Sequence, residues 1–396
     1  MVKFAHIADC HLGAWRQPEL QQLNTETFEK AIDVCISEKV DFVLITGDLF
    51  DSAMPSVDIL KIAAKKFREL KEKNIECYYI AGSHDYSASG KTFLDVFEKA
   101  GLFKNAEIIK YDEDNAVLQV IEKNDFVIAG ISGKKCELEK EFIKKVKVNM
   151  PKDDRIKILA LHTTLTENRI NEFMQGIDAD ELPKGFDYYA FGHIHKPFKK
   201  EINGKLIVYP GPLFPNNFSE LEELGNGSFF IVDIKNKQIN AEKQELRIKN
   251  TVFIDIDANA KAPEIITSEI MGRIKKDDVN DKIILLKIAG TMLRGKTSDI
   301  DFKSIEENAK KANCYSMLKS TSSLESPEFK IKTEVKSENI DEIEKEIISK
   351  QKNNDFGKFT EHLIKALEIE KQEGETTLTF ESRLFEEFSK VFGVKI

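Results

Sequence analysis

The chain has 396 residues, 41% of them hydrophobic and 32% charged, and its 59 Lys and Arg against 68 Asp and Glu give a formal net charge of −9. That length exceeds what one core usually supports, so a large domain with smaller modules is expected, and the composition excludes a disordered or fibrous chain. The negative balance also excludes a protein that grips nucleic acid by coating itself in positive charge; attraction would have to be local, through bound cations or clusters such as Lys134 with Lys135, and Lys196 with Lys199 and Lys200.

No run of about eighteen apolar residues occurs, and the opening MVKFAHIADCHLG lacks the pattern of a signal peptide. A cytoplasmic location and no membrane partner are therefore expected. Cys10, Cys35, Cys77, Cys136 and Cys314 are scattered without a CxxC pair and read as reduced thiols, mostly core packing.

From Lys3 to about Val232, short apolar runs alternate with amphipathic helical stretches, the pattern of a sheet covered by helices on both faces. Strands are predicted over residues 4–8, 42–46, 77–81, 126–131, 156–161, 188–191 and 206–209. Ser56 is the predicted N-cap of a helix whose apolar face is Ile59, Leu60, Ala63, Ala64, Phe67 and Leu70. Beyond Asn240, strands over 251–256 and 283–288 and helices over 263–274 and 302–312 predict a small α/β module without a catalytic cluster. Residues 319–327, rich in Ser, Thr and Glu, read as a linker. Three amphipathic helical stretches follow, marked by Ile340, Ile343 and Ile347, by Phe356, Phe359, Leu363 and Leu367, and by Phe380, Leu384, Phe388 and Val391. Their stripes suit either ordinary core or docking onto a partner helix.

The chemistry sits where strands run out into loops, and five of the 7 histidines are there. Asp9-Cys10-His11 follows the first strand, where a period of two would point Asp9 and His11 to one side. Gly47-Asp48-Leu49-Phe50-Asp51 follows the second and Gly82-Ser83-His84-Asp85 the third; His162 and His193-Ile194-His195 end two later strands. Carboxyl ends of parallel strands share one edge, so these groups can converge. Mixed carboxylate and imidazole donors suit manganese, iron or zinc better than magnesium or calcium. A carboxylate such as Asp48 can bridge two ions about 3.5–4 Å apart, the spacing that activates water against a phosphate ester. Gly47, Gly82 and Gly192 fit turns where backbone must come close.

The order DxH, GDxxD, G(N/S)HD, H and GHxH across residues 9–195 resembles the calcineurin-like metallophosphoesterases. The stretches FAHIADCHLG, ITGDLFDSAMPS and VYPGPL resemble more closely the SbcD branch and its archaeal and eukaryotic relatives, the meiotic recombination eleven family. The resemblance implies an α/β metallophosphoesterase sandwich with helices on both sides over residues 1–240, a small α/β capping, DNA-binding domain over 241–320, a linker over 321–337 and a helical domain over 338–396. It implies that Asp9, His11 and His195 hold one ion with Asp48 bridging, and that Ser83, His162 and His193 complete the second. His84 would face the scissile phosphate as general acid or cationic stabiliser, with Asp51 orienting and charging its ring. Ser83 stands where the family usually has Asn, and its shorter reach implies a looser or water-mediated hold on the second ion.

The implied function is a manganese-dependent DNA nuclease of double-strand-break repair, exonuclease on duplex ends and endonuclease on single strands or hairpins. Its implied setting is the nucleoid, as a homodimer whose C-terminal helices bind the coiled-coil base of an SMC-like ATPase. Two other readings stay open: a phosphoesterase of small nucleotides or phosphoproteins, and a decayed site kept as a structural subunit. Elsewhere, His6 inside the first strand reads as structural, His362 as a surface residue, and Trp15 as packing ahead of base stacking.

Overall fold

The predicted apolar runs form two six-stranded sheets, the sandwich that the family resemblance implies, where the alternation of strands and helices by itself suggests one sheet. This computed structural model describes residues 1–87, 90–112, 115–134, 138–170, 174–326, 369 and 377–392. In the first sheet Val2–Ile7, Phe42–Thr46, Glu76–Ile80 and Lys104–Asn105 run parallel. The hairpin of Gly227–Lys235 and Gln238–Leu246 extends it beside Val2–Ile7 with antiparallel strands. In the second sheet Phe126–Ile131, Ile156–His162, Tyr188–Gly192 and Lys205–Tyr209 run parallel, edged by antiparallel Ile121–Glu122 and Phe198–Ile202.

Burial explains the doubling. Every residue of Phe42–Thr46 and of Tyr188–Gly192 is buried, so these strands are apolar on both faces and need cover on both. Phe4, Phe42, Leu44 and Tyr78 of the first sheet pack on Ile128, Ile158 and Tyr188 of the second, with Phe4 and Phe42 stacked at 4.8 Å. The outer face of the first sheet is covered by helices Pro18–Ser37 and Val57–Glu72 through Phe28, Ile32, Phe67 and Leu70. Helix Glu139–Lys145 and the residues Leu165, Ile177, Leu182 and Phe186 cover the outer face of the second. Each fully buried Phe, Leu or Ile of this kind contributes about 1.5–3 kcal/mol of transfer free energy. Helix Val57–Glu72 begins as its sequence predicts, with the Ser56 hydroxyl accepting from Ile59 N at 3.4 Å. A small sheet of Ile108–Asp112, Asn115–Gln119 and Lys147–Val148 is not foreshadowed, because its strands are short and half exposed.

Thr251–Asp257, Ile283–Thr291 and Ser316–Ser320 form a separate parallel sheet with helices Pro263–Lys276 and Phe302–Lys311 on one face. Its other face lays Ile283, Leu285 and Leu318 against Leu20, Leu23, Phe214 and Leu221. Residue 240, the expected boundary, falls inside Gln238–Leu246, whose buried Ala241 and Leu246 tie the strand to the first body. The stretch expected to be a linker is also partly used. Leu324–Glu325 pairs with Gly290 and Thr291, since backbone pairing tolerates Ser- and Thr-rich sequence. Helix Thr377–Phe392 forms where the last amphipathic stripe predicts one. The two preceding stripes, Lys135, Cys136 and His362 lie outside the described residues, as does most of the expected linker and helical region. Cys10, Cys35 and Cys77 are free and buried. No helix among the described residues is long and apolar enough to cross a membrane.

Candidate metal centre

Each of the five motif blocks leaves the carboxyl end of a parallel strand, three from the first sheet and two from the second, and the loops are stitched together. Asp9 N donates to Gly47 O at 3.2 Å and His11 N to Asp48 O at 3.0 Å. Across the sandwich, His193 N donates to the Asp9 carboxylate at 2.9 Å, and His162 Nδ1 lies 2.9 Å from Thr46 O. The strand carrying the first block ends at Ile7, so strand alternation is not what brings Asp9 and His11 together. Turns do that instead: Asp9, His11, Asp48 and His193 have φ of 49°, 42°, 49° and 89°, a left-handed region that costs non-glycine residues about 1–3 kcal/mol each. Gly82 is required by close approach, because a Cβ there would sit 2.1 Å from Asp48 Oδ1. Gly47, at φ 90°, would likewise place a Cβ 2.1 Å from His162 Nδ1.

The donor atoms gather into triads. One is Asp9, His11 and His195, another Asp48, His162 and His193, and in each the ligand atoms lie within 4.8 Å of one another. His11, Asp48 and His84 make a third, overlapping set. His11 Nε2 and His195 Nε2 face each other at 3.1 Å, and His162 Nε2 lies 3.2 Å from Asp48 Oδ2. Thr46 O can only accept, so His162 carries a proton on Nδ1, and its buried Nε2 is turned inward onto the Asp48 carboxylate. A carboxylate and an imidazole nitrogen at that distance need a proton or a cation between them. The residues therefore fit a pair of divalent ions: clustered carboxylate and imidazole donors, an inward His162 nitrogen facing a carboxylate, and outward nitrogens of His162 and His195 tied to oxygen acceptors.

Electrostatics agree. Burial pushes Asp48 up, but His162 and His11 beside it prevail and hold its carboxyl well below the usual range. Burial pulls His162 down, yet Asp48 raises it to about 10, as a cation-demanding environment does. Burial raises the Asp9 carboxyl against the pull of His195 and His162. His193 is driven down to about 3 by burial and by its neighbour His162, so its ring is neutral, the form that ligates metal.

His84 is exposed at an open cleft lined also by Asp51, Met54, Ser83 and Tyr86. Its backbone N donates to Asp48 Oδ1 at 2.8 Å, and its Nδ1 lies 2.8 Å from the backbone carbonyl of Asp51. The expected carboxylate–imidazole pair between Asp51 and His84 thus takes a different form. Asp51 N bonds to Leu12 O, and this turns the side chain toward His11, with Oδ1 3.3 Å from His11 Nδ1. Asp51 is accordingly held below the usual carboxylate range, first by His11. Ser83 is half-buried beside His84.

Several residues outside the motif reading matter to this geometry. Glu220 Oε1 lies 2.9 Å from His195 Nδ1. Buried Asp85 accepts from Gly82 N, Phe50 N and Leu49 N at 2.9, 3.1 and 3.3 Å, pinning the second block to the third. Buried Asn24 donates to Cys10 O at 2.9 Å and accepts from Gly13 N at 3.3 Å, tying the first block to helix Pro18–Ser37. Asp85 sits within a quoted motif; Glu220 and Asn24 carry no local signal, since only tertiary folding brings their segments to the loops. His6 bonds Tyr188 OH and Thr46 Oγ1 at 2.9 and 3.1 Å and is structural, as expected. Trp15 donates to Pro215 O at 3.0 Å and packs near Phe214. Of the lysines singled out for anion contact, Lys196 pairs with Glu223 at 3.3 Å and Lys199 donates to Ala241 O at 2.8 Å.

Residues 2–197 match the calcineurin-like phosphoesterase family. The DNA double-strand break repair protein Mre11 of Methanocaldococcus jannaschii is 28% identical over 310 residues, covering 72% of this chain and 81% of that protein. Its counterpart of the same name in Archaeoglobus fulgidus is 26% identical over an alignment of 403 residues, covering 94% of this chain and 82% of that protein.

Proposed function

The chain belongs to the calcineurin-like phosphoesterases, in the branch of the Mre11 and SbcD-type nucleases, and on that premise we propose that it cuts DNA with a pair of divalent cations, acting as exonuclease on duplex ends and endonuclease on single strands. The observation that carries this reading is the pair of triads, Asp9–His11–His195 and Asp48–His162–His193, drawn from two sheets to one end of the sandwich. Asp9, His11 and His195 would hold one ion and His162 with His193 the other, with Asp48 between them and Ser83 beside the second. Manganese suits this donor set, nitrogen-rich yet with shared carboxylates. Such a pair, when bound, supplies a nucleophilic water at neutral pH and neutralises charge on the phosphodiester.

The protein's own groups do the rest. His84 Nδ1 is committed to the Asp51 carbonyl, which leaves Nε2 to face the cleft and pass a proton to the departing oxygen. Because His84 N is anchored on Asp48 Oδ1, the ring is indexed to the carboxylate that would lie between the ions and not to a free loop. Helices over residues 338–396 would dock on a coiled-coil ATPase, and the exposed Phe385 of Thr377–Phe392 is in keeping with such a surface. A homodimer and a place at the nucleoid complete the proposal.

Incubation of the purified full chain with end-labelled duplex and with a hairpin tests it. Cleavage is expected with manganese and not with a chelator, and His84→Gln is expected to lower the rate by about 10²–10⁴-fold while still binding metal. Equal cleavage by both proteins removes His84 from the mechanism. Hydrolysis of small nucleotides with DNA left intact reassigns the substrate.

A further inference from the structure

Helix Phe218–Leu224 is seven residues long, yet it touches both the metal centre and the small α/β module. It starts at Asn217, whose side chain accepts from Glu220 N at 2.9 Å. Glu220 in turn accepts from Asn216 N at 2.8 Å and Asn217 Nδ2 at 2.6 Å, so the carboxylate is held from its own loop as well as from His195. With His195 Nδ1 donating to that carboxylate, Nε2 is the atom turned toward His11 and Asp9. Such an outer hydrogen bond fixes both the tautomer and the plane of a ligating ring.

The far side of the helix belongs to the small module. Leu221 is buried together with Leu285, Ile283 and Leu318, and Glu222 Oε1 accepts from Lys287 Nζ at 2.7 Å. Among the described residues no comparable route reaches His162, whose Nδ1 is held by the Thr46 carbonyl inside the sandwich.

We infer that Glu220 is the positioning residue of His195, and that the small α/β module, by gripping helix Phe218–Leu224, sets how firmly the ion held by Asp9, His11 and His195 is bound. The inference rests on the cation-pair reading above and makes the two ions unequal: one answers to the module, the other to the sheets alone.

Manganese binding to the full chain, followed by loss of the free-ion electron paramagnetic resonance signal, tests it. The wild-type chain is expected to take up two ions. Glu220→Ala is expected to weaken one of them by about 10- to 100-fold and leave the other unchanged. Glu220→Gln, whose amide oxygen still accepts from Nδ1, restores most of the loss. Lys287→Glu sets like charges face to face and is expected to weaken the same ion by about threefold, with recovery in the exchanged pair Glu222→Lys/Lys287→Glu. Two ions bound by Glu220→Ala as tightly as by the wild type, or both weakened alike, overturns the positioning role; should that variant not fold, Glu220→Asp is read in its place with the same outcomes. Lys287→Glu binding like the wild type overturns the dependence on the module. A wild-type chain that takes up no manganese fails the cation-pair reading itself and is told apart from either result.

Discussion

Histidines look alike in a sequence, and what separates them is what each ring nitrogen meets. His6 spends its nitrogens on Tyr188, Thr46 and the Phe191 carbonyl, and burial drives it down to about 3. Its position inside an apolar strand already marks it as structural, just as strand-end positions mark His11, His84, His162, His193 and His195 as a group that could converge. The pairing of Asp51 with His11 is not legible in the same way, because a one-residue difference in where a turn ends decides which ring a carboxylate reaches. The depressed His6 value has a pH consequence. Its folded value of about 3 lies below the unfolded value of 6.5, so the unfolded chain takes up a proton first as pH falls, and stability present above about pH 6.5 is lost toward pH 3. Between pH 7.5 and 5 this one group is expected to remove about 2 kcal/mol. Urea unfolding of the wild type and of His6→Gln at both pH values checks it: the variant's loss over that interval is expected to be smaller by about that amount, and equal losses would clear His6.

At the level of elements, helix Val57–Glu72 is the best forecast, since its N-cap and apolar stripe are both local signals. The central strands are nearly as clear. Their assignment to two sheets is not, because a doubly buried strand reads the same whether its second neighbour is a helix or another sheet, and Phe42 packing on Phe126 at 4.4 Å is a contact across 84 positions of chain. The antiparallel hairpin Gly227–Leu246 escapes for a related reason: it closes onto Val2–Ile7 from the far end of the domain. The tight turn of the third block is the element on which the site depends most. Gly82→Ala is expected to push Asp48 aside, destabilising the chain by about 1–3 kcal/mol and lowering manganese uptake. Thermal melting read beside metal titration checks this, and an alanine variant that binds and melts like the wild type would mean the turn yields more easily than its 2.1 Å approach implies.

For the whole molecule, the division of labour proposed between the sandwich, the small module and the C-terminal stretch leads to a simple dissection. Deleting residues 338–396 is expected to abolish co-purification with an SMC-like ATPase while leaving manganese-dependent cleavage of DNA in place; retained association would move the docking surface elsewhere. The small module cannot be dissected so cleanly, because Ile283, Leu285 and Leu318 are buried against Leu20, Leu23 and Leu221. The metal centre has a further effect at this scale. Asp9 and Asp48 belong to one sheet, His162, His193 and His195 to the other, so each ion coordinated as proposed clasps the two halves of the sandwich together. Such a clasp resists shear between layers that otherwise adhere only through non-directional contacts. At free manganese a hundred times the dissociation constant, one bound site adds about 2.7 kcal/mol to the folded state. For a body of this size that is roughly 5–10 °C of melting temperature, to be erased by chelation. The same removal is expected to speed amide exchange along Phe42–Thr46 and Ile156–His162, where one layer lies over the other, so the ions proposed for cleavage would also act as fasteners of the fold that holds them.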